Sequence, residues 1–185
     1  MSTTDQRGLS LIELLVFIVV VGIAVGGVLS VYSLNVRSSA DPMLRKQALA
    51  IAESLLEEVL SKPYTYCDPD DANADTALNA AGCATPEGIG TEGVEDRYSN
   101  VTPFDNVNDY DGFSMMAGIV DLSGTAVAGL GGYTAAVKVQ PVANFNGIVP
   151  LPGDNETLLV TVTVTAPGNQ GVSLSGYRTR YAPNF

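Results

Sequence analysis

The chain has 185 residues, room for one compact domain and an appendage. Its net charge is −11, and from Ser61 onward five Lys and Arg stand against fourteen Asp and Glu, so the C-terminal part carries −9 of it. A surface so acidic repels nucleic acid, and the absence of histidine removes the commonest general base and metal ligand.

Residues 1–8 are polar and include Arg7. Leu9, Ser10, Leu11, Ile12 and Glu13 follow, and then 23 positions, 14–36, hold no charged residue. About 20 mostly apolar residues cross a bilayer as a helix, so this segment is long enough to span. Glu13 sits at its front edge, where a carboxylate costs free energy and marks a functional position. A secretory signal has a shorter apolar stretch and a small-residue cleavage site, and neither is present. A plain signal anchor explains the span but not a glycine, four residues and a glutamate in front of it.

In the stretch Gly8-Leu9-Ser10-Leu11-Ile12-Glu13-Leu14-Leu15 the chain resembles the type IV prepilin class. The resemblance implies a leader, 1–8, cut after Gly8 by the prepilin peptidase/N-methyltransferase, with Leu9 as the new, methylated N-terminus. It implies that Glu13 neutralises the N-terminal amine of a neighbouring subunit, a cation partner that makes a buried carboxylate tolerable. The class most often has Phe where this chain has Leu9, and accepts Leu. Other major and minor pilins are the implied partners. The implied location is a single pass of the inner membrane before assembly, then the periplasm and a cell-surface pilus.

Past the span, Asp41-Pro42 reads as a helix restart or kink, since Asp caps helices well and Pro suits the first helical position. Leu44, Ala48, Ile51, Leu55 and Val59 then recur at helical spacing on one face. Arg45, Glu53 and Glu57 take the opposite face, Glu58 can pair with Lys62 four residues on, and Pro63 ends the pattern. The expected helix has a transmembrane and assembly part, 9–36, and an amphipathic continuation, 37–62; at 1.5 Å per residue it reaches roughly 75–80 Å. Gly22, Gly26 and Gly27 weaken it locally, either for local unwinding on assembly, as the resemblance implies, or for close helix packing.

Residues 63–185 form the expected periplasmic or extracellular head. Its first part is turn-rich and contains Cys67 and Cys83, a lone pair that fits one disulfide in an oxidising compartment. Asp71, Asn73 and Asp75 alternate like the front of a calcium loop, but Gly82 stands where the bidentate glutamate belongs, which excludes an EF-hand. An irregular calcium site there stays open beside a solvated acidic turn; no other cofactor is expected. Four strands are predicted at 113–122, 133–142, 157–165 and 172–181, the third a strict alternation of Leu158, Val160, Val162 and Val164 with threonines. The fold class is α+β: a long N-terminal helix packed on an antiparallel sheet of about four strands, as in pilins.

Ser39-Ala40-Asp41-Pro42-Met43-Leu44, Cys67-Asp68-Pro69 and Phe104-Asp105-Asn106-Val107-Asn108-Asp109-Tyr110-Asp111-Gly112 resemble one minor-pilin family, the D-type minor pilins of the mannose-sensitive haemagglutinin (MSHA) pilus. That resemblance implies a low-abundance component that primes assembly or sits near the tip of an adhesive filament. The second function class is a pseudopilin of a type II secretion system, which shares the N-terminal third. No catalytic constellation is visible: there is no histidine for a triad and neither cysteine has a basic neighbour, so the chain is not expected to be an enzyme. Arg178 and Arg180 alternate on the last strand, either to meet acidic patches of other subunits or to guard an edge.

Overall fold

The structure, a computed structural model, describes residues 10–142 and 156–180. The expected cleavage site, Gly8 and Leu9, lies outside them. Two compact units meet in sequence between Met43 and Leu44.

Helix α1, Leu11–Ser61, opens at Ser10, whose carbonyl and Oγ both accept from the Glu13 N–H, at 3.0 and 3.4 Å. A serine three residues before a glutamate is the standard signal for such a start. The helix runs without interruption through Pro42, so of the restart or kink expected at Asp41-Pro42 the restart is not seen. A proline removes a single intrahelical donor, and the ladder on either side continues. The helix ends where Lys62 N–H reaches back to Val59 O and Pro63 follows.

In the C-terminal unit α1 buries Ala48, Ala52, Leu55 and Val59, with Leu44, Ile51, Leu56 and Leu60 half-buried around them. That is the predicted stripe, with Ala52 added and Ile51 moved to its margin. It covers a four-stranded antiparallel sheet whose order follows the chain: β1 (Ser114–Met115), β2 (Thr134–Pro141), β3 (Thr157–Ala166) and β4 (Gln170–Thr179). Leu158, Val160, Val162 and Val164 of β3 are fully buried, and Val137 and Val139 of β2 stand beside Val162 and Val160 on the same face. The other face is polar: Thr161 pairs with Ser175 and Thr163 with Ser173, each at 2.9 Å. The β3–β4 connection turns on Pro167-Gly168, with Asn169 N–H bonded to Ala166 O and φ of 84° at Gly168, as a type II turn requires. On β4, Gly176 lets Leu60 approach: an added Cβ would lie 2.8 Å from Leu60 Cδ1.

The first predicted strand, 113–122, shrinks to two residues. Gly118, at φ 103°, turns the chain away from β2, and Ile119 then exchanges hydrogen bonds with Leu130 and Val127 instead. The turn-rich first part of the head is not solvated throughout. Phe104, Val107 and Tyr110 enter the core together with the polar Asn106, Asn108 and Asp109. Phe104 meets Tyr110 and Phe113 edge to face at 5.0 and 5.9 Å.

Gly118 offers a sharp test of this geometry. A Cβ there would lie 2.9 Å from Gly131 Cα, a backbone atom that cannot rotate aside, on a residue at φ 103°. Gly118→Ala is expected to lower the unfolding free energy of the head by about 1–3 kcal/mol, measured by urea denaturation.

Candidate functional site

The N-terminal part of α1 has no cover of its own. Leu11–Ser33, 23 residues long enough and apolar enough to cross a membrane, is not buried anywhere among the described residues. Its large apolar side chains are exposed on all sides, from Leu11 at 83% to Val21 at 40%. Glu13 is exposed in the first helical turn, where the positive end of the helix dipole favours a carboxylate. A Cβ added at Gly22, Gly26 or Gly27 would meet no described atom within 4 Å, so packing within the chain does not call for glycine there.

The head is held to the C-terminal end of α1 by one ionic contact that the sequence pattern did not reveal. Arg97 donates Nε to Glu58 Oε1 and Nη2 to Glu58 Oε2, both at 2.7 Å, and Tyr110 Oη adds a third bond at 2.8 Å. Arg97 Nη1 also reaches Asp121 O at 3.3 Å. The two side chains are 5% and 17% exposed. Desolvation opposes the charge on Arg97, but the hydrogen bonds and charge of Glu58 outweigh it and hold the guanidinium firmly protonated. Burial and the Glu58 charge push the Tyr110 hydroxyl up. The expected Glu58–Lys62 pair does not form: Lys62 Nζ donates to Phe104 O at 2.7 Å instead. Half-buried Glu58 takes a planar two-pronged cation rather than a flexible ammonium. The signal available in the sequence was isolation, since Arg97 is the sole basic residue between Lys62 and Lys138.

Cys67 and Cys83 are bonded, and the loop they close is laced from within. Asp71 accepts from Asn73 N–H at 2.8 Å and from Thr85 N–H at 2.6 Å, one bond to each carboxylate oxygen, and Asn73 Nδ2 donates to Gly82 O. Those backbone bonds, that from Thr85 foremost, hold the Asp71 carboxyl below the usual range. Asp75 is exposed nearby. Arg180 corrects another expectation: neither an edge guard nor an outward contact, its guanidinium lies 4.1 Å from the Tyr64 ring and 4.5 Å from that of Tyr66. Its side chain is 7% exposed and Glu156 lies 3.9 Å away.

Residues 3–29 match the family model described as the prokaryotic N-terminal methylation motif. This is the N-terminus of a type IV pilin-like precursor. The match covers Gly8, Leu9, Glu13 and most of the exposed apolar helix, which explains why that helix is left uncovered within one chain. Processing by prepilin peptidase, anchoring in the inner membrane before assembly, and a structural role alongside other pilins or pseudopilins follow from the motif. No curated protein and no solved structure matches the chain.

The head of this pilin-like chain also gathers carboxylates that no spacing announced. Asp68, Asp70 and Asp105 form one trio, and Glu87, Glu92 and Asp109 a second, more buried one, each with oxygens within 4.8 Å of one another. Burial first, then the neighbouring Glu92 and Asp109, raises Glu87 to about 9. Burial first, and then Glu95 and Glu92, raises Asp109 to about 7. Asp105 rises to about 6 through burial and the charges of Asp68 and Asp70.

Two variants test the scaffold. Arg97→Met strands a largely buried carboxylate and is expected to cost about 3–5 kcal/mol in denaturant unfolding, with Glu58→Leu in the same chain restoring most of it. The Cys67→Ser/Cys83→Ser variant, losing one closed loop, is expected to lose about 3 kcal/mol while keeping the circular dichroism of the folded sheet.

Proposed function

We propose that the chain is a minor structural subunit of an MSHA-like type IV pilus, built into or priming a surface filament used in adhesion. The observation that carries its pilin-type role is the uncovered 23-residue apolar helix behind a Gly8–Glu13 spacing that matches the methylation motif. In this reading the leader 1–8 is removed after Gly8 and Leu9 is methylated. Glu13 then takes the N-terminal amine of an adjacent subunit as its counter-ion, and sister helices replace lipid around 9–36. The amphipathic part, 37–62, and the head, 63–185, stay outside the filament core.

Assignment to the MSHA kind rests on the stretches around Asp41-Pro42, Cys67-Asp68-Pro69 and 104–112. The last lies against the sheet: Phe104, Val107 and Tyr110 are core residues, and Asp111 Oδ1 accepts from Val139 N–H at 2.9 Å, tying the segment to β2.

The test is intact-mass and N-terminal analysis of the protein from sheared surface filaments and from membranes, with and without prepilin peptidase. The expected product begins at methylated Leu9, occurs in the sheared fraction and disappears without the peptidase. Glu13→Ala should still be cleaved yet be depleted at least tenfold from filaments. A processed chain confined to the envelope, with a secretion defect on deletion, would favour the pseudopilin of a type II system. A chain still starting at Met1 would overturn both readings.

A further inference from the structure

We propose that Glu87, Glu92 and Asp109 form a binding site for a divalent cation of the calcium type. Each carboxylate is anchored through one oxygen while the other is left over. Glu87 Oε2 accepts from Asn108 Nδ2, and Glu92 Oε1 accepts from Gly88 N–H at 2.8 Å. Asp109 Oδ2 accepts from the N–H groups of Asp105 and Asn106 at 2.9 and 2.7 Å. Glu87 Oε1, Glu92 Oε2 and Asp109 Oδ1 are sealed from solvent and have no hydrogen-bond partner among the described residues. The backbone and one amide thus orient three acids and leave an oxygen of each unused.

A neutral group adds an independent observation. Asn108 is fully buried, its Nδ2 is shared between Glu87 Oε2 and the Gly88 carbonyl, and its Oδ1 also lacks a partner. Folded proteins seldom leave several buried polar oxygens unpaired in one place, and a cation that displaces the carboxyl protons would satisfy them together. Two basic side chains of this region are already engaged, Lys62 with Phe104 O and Arg97 with Glu58.

The dimensions suit a single ion. One oxygen from each acid lies within 4.8 Å of the others, and two oxygens ligating one calcium at 2.3–2.6 Å stand at most about 5 Å apart. Calcium accepts an irregular, carboxylate-rich shell, whereas magnesium demands a near-octahedral one. The ion would clamp residues 87–92 to the buried turn Asn108–Tyr110, a join that now shows one backbone bond, Gly90 N–H to Asn108 O at 3.1 Å. The site is separate from Asp71, whose oxygens both serve the disulfide loop.

The experiment uses the full chain in detergent, stripped with EGTA and titrated with calcium chloride, followed by calorimetry and thermal unfolding. One saturable site is expected, with a rise in Tm at about 10 mM calcium that the same concentration of magnesium does not match. Glu87→Gln/Glu92→Gln should unfold in EGTA no earlier than the parent, because a neutral amide avoids the cost of burying a carboxylate, yet bind calcium at least tenfold more weakly. Glu92→Gln alone, whose amide oxygen can still accept from Gly88 N–H, should also weaken binding, and Asp75→Asn should leave it unchanged. Absence of a calcium response in the parent, a response kept in full by both Gln variants, or its loss in Asp75→Asn would overturn the site. An equal response to magnesium would overturn the ion assigned to it.

Discussion

Glu58 lies in the last turn of α1, and its carboxylate receives three hydrogen bonds from residues 39 and 52 positions further on. The segment between the helix and the sheet has little regular structure, two short 3-10 turns apart, so its position depends on such cross-links. Arg97 joins helix, loop and the turn at Asp121 through one guanidinium, and Tyr110 brings the aromatic cluster to the same point. The arrangement satisfies charge with charge in a place where water is scarce, which makes it intolerant of losing one partner. The buried segment 104–111, the close approach at Gly176 and the sheet's covered face all presuppose that α1 is fixed at this end.

The helix itself meets two environments with one backbone. Its stretch Leu11–Ser33 is apolar in every direction and carries a single acid, in its first turn; its C-terminal stretch narrows to a buried stripe of Ala48, Ala52, Leu55 and Val59. Ala48, Ala52, Leu55 and Val59 share one core cluster with the buried valines of β2 and β3. The first environment must be lipid or other helices, the second is the chain's own sheet. A pilin-like protein needs both, and the change of pattern along α1 supplies them.

Much of this was legible because it is periodic. The span, the stripe of Leu44, Ala48, Leu55 and Val59, the alternation of β3 and the lone cysteine pair each follow from one spacing rule. What escaped was non-periodic. Arg97, Asn106, Asn108 and Asp109 lie in a turn-rich stretch whose composition reads as surface, and only tertiary contacts bury them. Pro42 reads as a break because local propensity opposes it, yet the flanking turns carry the helix through. The run 113–122 has strand-like residues but contains Gly118, whose positive φ redirects it. Glu58 and Lys62 have the right separation for a helical pair, and the burial of Glu58 decided otherwise.

The sheet's order, β1-β2-β3-β4, repeats the order of the chain. Every strand therefore pairs with its sequence neighbour, and β3 finds β4 across only three intervening residues. Pairings of low sequence separation form quickly, because little chain entropy is lost before each contact is rewarded. The contacts that bring Arg97 and Tyr110 onto Glu58 close longer stretches, 39 and 52 residues across. The sheet is thus built from neighbours in the chain, and the helix is fastened to it by the contacts that reach furthest along the sequence.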